Sequence, residues 1–253
     1  MPVRPNRAKD IIRQGGCLVS TAVRLPEPSL VEILGYAGFD FVLIDGEHGS
    51  IGWSDMERMI LAAHASDTVP VVRVLKNEPE MIMRSLDLGA QGILIPHCCT
   101  AEDARRFKQG SLYAPQGTRG VGPGRSKQWG VVGNEEYYQT INDQVLLLAM
   151  IEDPEAIDNI EAIAQEGLDV LWVGTGDLAA SYGVPGQLTH PKVVEASQRV
   201  LEVGIQYNIA VGWPAQSPED AARAASKGYR AIGCGGAEGY VMAGAQSYLK
   251  VMR

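Results

Sequence analysis

Apolar residues in this chain fall into short continuous runs, and four of the runs follow the same phrase. In each phrase a glycine is followed by two connecting residues and then by the apolar run. Glycine suits the end of a helix, because the left-handed conformation common there makes a side chain clash. Each phrase therefore predicts a helix, a glycine stop and a buried strand. The phrases begin at Gly38, Gly89, Gly167 and Gly228.

Four more apolar runs lie between these phrases, at residues 17–23, 69–74, 145–151 and 209–211. Continuous rather than alternating runs are typical of parallel strands covered on both faces. The intervening segments have helical spacing, so strands and helices alternate. About eight such units in roughly 250 residues fit a closed barrel better than an open doubly wound sheet, which remains the alternative. We predict that residues 1–253 form a single-domain α/β fold, a (β/α)8 TIM barrel.

Composition narrows the class of protein further. The 253 residues are 45% hydrophobic and carry a formal net charge of -8, which argues against a nucleic-acid surface, since such surfaces are usually basic. The first ten residues lack the apolar segment of a signal peptide, and no apolar run reaches the roughly 18 residues of a membrane span. We expect a cytoplasmic protein with no membrane partner.

One long irregular stretch, residues 113–130, is rich in proline and glycine. Long loops in compact domains are usually functional or disordered. We therefore expect this loop to border the functional site and Arg119 to contact the substrate.

Polar residues follow the predicted strands, at the end of a TIM barrel where active sites lie. They are Asp45, Glu47 and His48 after the second strand, Arg73 in the third, His97 after the fourth, Glu152 after the fifth, and Thr175, Gly176 and Asp177 after the sixth.

Two of these acids, Glu152 and Asp177, end neighbouring strands and are placed to converge on one ion. Carboxylate oxygens favour hard cations such as Mg²⁺ or Mn²⁺. Acids also commonly open the helix that follows a strand, as caps or solvated carboxylates. Spacing alone leaves both interpretations open.

Arg73 lies within an apolar run, where an unpaired charge is costly. It faces either an anionic ligand in the barrel mouth or an acid such as Asp45 or Glu47, and both can hold together. A neighbouring carboxylate would also fix the tautomer of His48 and make it a general base, although a lone histidine at a strand end is more often structural.

Two further features bear on the chemistry. The glycines around Thr175 expose backbone N–H groups that suit a carboxylate or phosphate, a weak signal by itself. Chemistry through a Schiff base needs a lysine in the barrel mouth, and Lys76 is the one candidate near a predicted strand end.

Taken together, the segments FDFVLIDGEHG, VVRV, LDLGAQGILIPH, YAPQGTRGVG, LLLAMIED and VGTGDLAASYG resemble the 2,4-dihydroxyhept-2-ene-1,7-dioate aldolase family. These are class II pyruvate aldolases, and the match is in order over nearly the whole chain. The family includes aldolases for 2-keto-3-deoxy sugar acids and the macrophomate synthase branch, which decarboxylates oxaloacetate. The resemblance implies a carbon–carbon lyase acting on a pyruvate-type 2-oxo acid and an aldehyde.

The resemblance also implies a role for individual residues. Glu152 and Asp177 correspond to the ligands of a divalent metal, Mg²⁺ or Mn²⁺ with Co²⁺ as a further option. Arg73 corresponds to the residue that stabilises the enolate oxygen, and His48 with Asp45 to a dyad that transfers protons.

By the same resemblance, backbone amides near Gly176 and Asp177 hold the pyruvate carboxylate, and Glu47 supports the site through ordered water. Related aldolases look like hexamers, sometimes with exchanged terminal helices, which implies a homo-oligomer here.

Two departures from the family pattern lie beside the implied metal. Met150 stands where the family often has glutamine, and Thr175 stands in a loop that is often Gly-Pro-Ala-Asp. His97 is a candidate to replace the missing amide. A decarboxylase acting through the same enolate, and a non-catalytic barrel that binds a carboxylate, are the alternatives to an aldolase. The aldehyde itself is not indicated.

Overall fold

The computed structural model describes residues 3–252, in which eight parallel strands pair in chain order and the last closes onto the first. This closed barrel with alternating helices confirms the predicted (β/α)8 fold over the open sheet. The strands are β1 (Leu18–Val23), β2 (Phe41–Asp45), β3 (Val69–Arg73), β4 (Gly92–Ile95), β5 (Leu146–Ile151), β6 (Val170–Val173), β7 (Ala210–Pro214) and β8 (Ala231–Gly236).

Helices lie in the connections between the strands and at both chain ends. They are α1 (Arg7–Arg13), α2 (Pro28–Tyr36), α3 (Trp53–Ala65), α4 (Pro79–Asp87), α5 (Ala101–Ser111), α6 (Asn134–Thr140), α7 (Pro154–Asp158), α8 (Ile160–Gln165), α9 (Thr175–Ser181), α10 (Pro191–Gln206), α11 (Pro218–Lys227) and α12 (Ala237–Met252). Short 3₁₀ turns occupy Arg125–Gly130 and Ile141–Gln144. No helix within residues 3–252 combines the length and hydrophobicity of a membrane span.

The four glycines of the repeated phrase stop helices as predicted. Gly38, Gly89, Gly167 and Gly228 have φ angles of 99°, 107°, 71° and 104°. Each lies between a helix and the next strand, in the left-handed region where a side chain is unfavourable. The local sequence thus sets both the end of the helix and the start of the strand.

The indole of Trp172, on β6, is one of the buried side chains in the cluster that contains Phe41 and Met150. The ring packs edge-on against Phe41, with 6.2 Å between ring centroids. Gly212 and Gly233 leave room for it, because a Cβ atom there would lie 2.4 Å and 2.8 Å from indole carbons. Trp172 also lines the cavity at the carboxyl ends of the strands.

Helix α1 packs against the amino-terminal end of the barrel. Its Ala8 and Ile12 are buried in the same cluster as the barrel interior. Lys9 reaches in to donate to the carbonyl of Val145 and lies 3.0 Å from a carboxylate oxygen of Asp169. Helix α1 thus covers the amino-terminal end of the barrel, and the cavity lined by Trp172 lies at the opposite, carboxyl-terminal end.

Candidate active site

A cavity of about 460 Å³ opens at the carboxyl ends of the strands. Its position follows from the fold, since all eight strands point the same way. Five residues predicted for the site are among those lining it: Arg73, Met150, Thr175, Gly176 and Asp177.

Asp45 and Arg73 form an ion pair at one side of this mouth. The register of β2 and β3 places the two residues opposite each other. Arg73 Nε donates to Asp45 Oδ1 at 2.9 Å and Nη2 donates to Oδ2, a bidentate arrangement. Burial raises the pKa of Asp45, but the hydrogen bond and charge of Arg73 outweigh it and lower the pKa overall. The aspartate is therefore held as a carboxylate.

Arg73 also contacts Glu47, whose Oε2 lies 3.1 Å from Nη1. Burial lowers the pKa of the Arg73 guanidinium, and its hydrogen bond and charge contacts with Asp45 more than restore it. Arg73 is therefore paired with acids, as one of its two interpretations predicts, and it also lines the cavity.

The predicted contact between Asp45 and the His48 ring is not present. The oxygen Oδ1 of Asp45 instead accepts the backbone N–H groups of Glu47 and His48, at 3.2 Å and 3.1 Å. The His48 ring is 58% exposed, and its Nε2 lies 3.6 Å from Glu47 Oε2. Asp45 is engaged by arginine and backbone donors, so Glu47 is the carboxylate beside the imidazole.

Glu152, directly after β5, is almost completely buried. Its Oε1 accepts the backbone N–H of His97 at 2.9 Å. Gly174 makes room for the other oxygen, because a Cβ atom at Gly174 would lie 2.6 Å from both Cβ and Oε2 of Glu152. The carboxylate therefore sits in a cradle that a larger residue at position 174 would fill.

The charge state of Glu152 depends on its neighbours. Burial is the main cause that raises its pKa. The charges of Asp177 and Glu47 act in the same direction and the hydrogen bond and charge of His97 in the opposite one, and the net pKa is about 7. The charges of Asp177 and Glu47 therefore both repel that of Glu152. A cation placed among them would relieve that repulsion.

Asp177 lies in the first turn of α9 and lines the cavity, with Thr175 and Gly176 just before it. Thr175 is 5% exposed. Within residues 3–252, no group of three or more His, Cys, Asp and Glu side chains is arranged to hold an ion alone. The charge of Asp177 is near enough to Glu152 to raise the pKa of that buried carboxyl.

His97 does not replace the amide that is missing at Met150. Its ring is 59% exposed and hydrogen-bonds to Asp153 Oδ2 at 2.9 Å, a contact that raises the pKa of the histidine. The backbone at His97 adopts a positive φ of 48°. The residue serves the site through its N–H to Glu152, while Met150 presents an apolar side chain to the cavity.

Arg119 and its loop lie away from the mouth, contrary to expectation. Arg119 Nη2 is 2.5 Å from Asp87 Oδ1, and its guanidinium lies 4.6 Å from the centre of the Tyr113 ring. The loop connects α5 to β5, and connections from a helix to a strand lie at the amino-terminal end of a barrel. The predicted order of helices and strands is therefore sufficient to place this loop at the amino-terminal end, away from the mouth.

Two residues of the mouth were missed. Arg24 directly follows β1, and its Nε lies 3.1 Å from Asp45 Oδ2. Glu238, at the start of α12, accepts the backbone N–H of Arg24 at 2.7 Å and lies 3.6 Å from its guanidinium. Arg24 was discoverable, because it occupies the same position after its strand as the polar residues that were predicted.

Lysine is absent from the lining of this cavity within the described residues. Lys76, the candidate for a Schiff base, is exposed beyond β3. The polar chemistry of the mouth therefore rests on carboxylates, arginines and backbone amides.

Comparison with known proteins gives a consistent result. The profile of the HpcH/HpaI aldolase/citrate lyase family matches residues 23–243. A 5-keto-4-deoxy-D-glucarate aldolase of Shigella boydii serotype 18 is 37% identical over 203 residues, which cover 79% of this chain and 78% of the relative.

Two solved structures superpose on a larger share of the chain than the aldolase sequence covers. An HpcH/HpaI aldolase/citrate lyase family protein from Burkholderia cenocepacia J2315 superposes with a TM-score of 0.93 at 33% identity, covering 98% of this chain and 99% of the other. Citrate synthase SbnG superposes with a TM-score of 0.88 at 29% identity and covers 96% of each chain.

Proposed function

Because this chain belongs to the HpcH/HpaI aldolase/citrate lyase family and is a carbon–carbon lyase of the aldolase type, we propose that it joins or cleaves a pyruvate-type 2-oxo acid and an aldehyde with a divalent metal. The observation that carries the proposal is the position of buried Glu152 beside Asp177, at a mouth that Arg73 also lines. In this proposal, residues 1–253 act as one domain.

The donor set fits Mg²⁺ or Mn²⁺, with Co²⁺ as a further option. Two carboxylates suit a hard cation that keeps several other oxygen ligands, from water and substrate. Gly174 keeps the space beside Glu152 Oε2 open. When bound, the cation supplies positive charge that favours the enolate form of the 2-oxo acid.

Arg73 has the complementary role of holding the oxyanion side of the substrate. Its bidentate bond to Asp45 fixes the guanidinium at the mouth before the substrate arrives, so little reorganisation is needed. The role of Asp45 is therefore to position Arg73, a revision of the dyad with His48.

His48 remains our candidate for proton transfer. Its ring is exposed at the mouth, and Glu47 Oε2 lies 3.6 Å from its Nε2. Glu47 links the two functions, since it also contacts Arg73.

The start of α9 is proposed to bind the substrate carboxylate. Thr175 and Gly176 line the cavity there, and backbone N–H groups in the first turn of a helix lack partners within the helix. Met150 on the opposing strand offers no hydrogen bond, which favours substrates that do not require an amide at that point.

We also propose that the protein is a homo-oligomer, a hexamer by analogy with related aldolases, through α12. Ala237 is the only buried residue of that helix among those described. Val241, Tyr248 and Val251 are 62%, 80% and 84% exposed, an apolar surface typical of an interface. Light scattering after size exclusion tests this, and a monomer would refute it. A cytoplasmic location stays a prediction.

The activity is tested with pyruvate and a panel of aldehydes, with Mg²⁺, Mn²⁺ or Co²⁺ and with chelator. We expect metal-dependent formation of aldol products that Glu152→Gln and Asp177→Asn abolish, together with Mn²⁺ binding measured by paramagnetic resonance. Full, chelator-resistant turnover in these variants would refute the metal site. Permanent inactivation by borohydride in the presence of pyruvate would indicate a Schiff base instead.

A further inference from the structure

A second cavity, of about 560 Å³, lies beside the amino-terminal ends of the strands. Its lining includes Gln91, just before β4, and Val145, just before β5. Residues of α3, α4 and the connection between α5 and β5 complete it. It shares no lining residue with the mouth cavity, which opens at the other end of the same strands.

The charge of this lining is opposite to that of the whole chain. Thirty acidic residues outnumber 22 lysines and arginines in the sequence, yet the cavity is lined by Arg4, Arg119 and Arg125 and by no acid. Arg4 is exposed and forms no ion pair with any residue of 3–252. Three guanidinium groups without a carboxylate in the lining of one cavity are typical of a site for an anion.

The acids that balance the other two arginines stand outside the cavity. Arg119 pairs with Asp87, and Arg125 pairs with Glu57 at 2.9 Å. These contacts hold each guanidinium in place while leaving donors available, because a guanidinium carries five N–H groups. The arginines are thus positioned in advance, which lowers the entropy lost on binding.

Two buried polar atoms of the lining have no hydrogen-bond partner. They are Nε of Arg119 and Nε2 of His64. Buried polar groups are nearly always satisfied, so such atoms indicate a missing water or ligand. Burial, together with the charges of Arg4 and Arg125, lowers the pKa of His64 to about 4, so the positive charge of the lining comes from the arginines.

The rest of the lining is largely apolar. Leu61, Leu86 and Ile141 contribute aliphatic walls. The Trp129 ring lies 5.6 Å from the Arg125 guanidinium and presents an aromatic face next to the charge. Apolar walls with a few convergent polar groups characterise pockets for small organic molecules rather than for inorganic ions.

We propose that this cavity binds a small organic carboxylate, whose anionic group contacts Arg4 and Arg125 and whose apolar body lies against Leu61 and Leu86. The site is separate from the catalytic mouth. The site contains no residue that the proposed aldol reaction uses, so the test of this proposal does not depend on that reaction.

Calorimetric titration of the intact, assembled protein tests the proposal, with benzoate and inorganic phosphate as probes. Mn²⁺ and pyruvate are present at saturation so that the mouth is occupied. We expect one benzoate per chain, bound at least about tenfold more tightly than phosphate, and a further loss of roughly tenfold in Arg4→Gln and in Arg125→Gln. Both arginines are at least partly exposed, and thermal melts will show that the variants fold.

Arg7→Gln is the matched control. Arg7 is a second exposed arginine of the same segment, but it pairs with Asp40 at 3.7 Å and does not line the cavity. Its variant should bind benzoate as the unmodified chain does.

Three outcomes would overturn the proposal. They are the absence of saturable benzoate binding up to about 10 mM, phosphate binding as tight as benzoate binding, and equal benzoate affinities in Arg4→Gln and Arg7→Gln.

Discussion

Replacing Gly174 by alanine is the sharpest test of how the mouth is built. The φ angle at this position is -93°, so alanine meets no conformational obstacle. Its Cβ would lie 2.6 Å from Cβ and Oε2 of Glu152 and 3.0 Å from Cε of Met150. Because the Glu152 Cβ is fixed to β5, the backbone or the carboxylate must move. We expect a loss of about 1–3 kcal/mol in the free energy of unfolding, as for other overpacked sites.

The same displacement should weaken the proposed metal site. Moving the Glu152 carboxylate changes its position relative to Asp177, the other proposed ligand. Disturbing the groups that hold a metal ligand in place typically lowers metal affinity by roughly tenfold to a hundredfold. Urea unfolding measures the first effect and Mn²⁺ titration by paramagnetic resonance the second.

Gly176→Ala is the matched control, two residues away in the same segment. A Cβ atom there would have nothing within 4 Å, and the backbone N–H is retained. If the two alanine variants have the same stability and the same Mn²⁺ affinity, the proposed cradle around Glu152 is wrong.

Three further predictions concern stability. Burial lowers the pKa of folded His64 to about 4, below the ordinary histidine value of about 6.5, so the unfolded chain takes up the proton first and stability is lost as the pH falls from about 6.5 towards 4. His64→Gln should remove up to roughly 3 kcal/mol of that pH dependence in urea titrations at several pH values, and identical pH profiles would contradict the prediction. Gly212→Ala places a Cβ 2.4 Å from the Trp172 indole and should lower the free energy of unfolding by about 1–3 kcal/mol. In the double variant, Trp172→Leu should largely relieve this loss, because the smaller side chain removes the clash. Arg24→Gln breaks a contact of an arginine whose side chain is 45% exposed, so it should lower the free energy of unfolding by no more than about 1 kcal/mol. Asp45→Asn leaves a buried guanidinium charge without its main partner and should lower the free energy of unfolding by roughly 3–5 kcal/mol. Similar losses in the two variants would contradict the burial argument.

The sequence by itself determined the fold and five of the residues that line the mouth. The glycine stops at Gly38 and Gly167 reflect a local backbone preference, and continuous apolar runs reflect burial on both faces, so both are readable without a structure. Once strands alternate with helices, parallel pairing places every residue that leaves a strand at one end of the barrel. Arg73 and Asp177 were found in this way, and Arg24 was available by the same rule.

The tertiary structure alone decided which partner each side chain takes. Asp45 contacts Arg73 and Arg24 instead of the His48 ring, because strand register and side-chain length favour two guanidinium groups over an imidazole three residues along the chain. Glu238 meets Arg24 across 214 positions of sequence, a distance that no local pattern spans.

The cavity at the amino-terminal end of the barrel is also a feature that only the tertiary structure decides. Its arginines come from the amino-terminal segment and from a loop more than a hundred residues later, and no pattern in either stretch of sequence indicates that the two meet. Periodicity and backbone preference act over a few residues, whereas a charged cavity arises only when the closed barrel brings distant segments together. Local physics therefore specifies the scaffold, and the packing of that scaffold specifies the contacts.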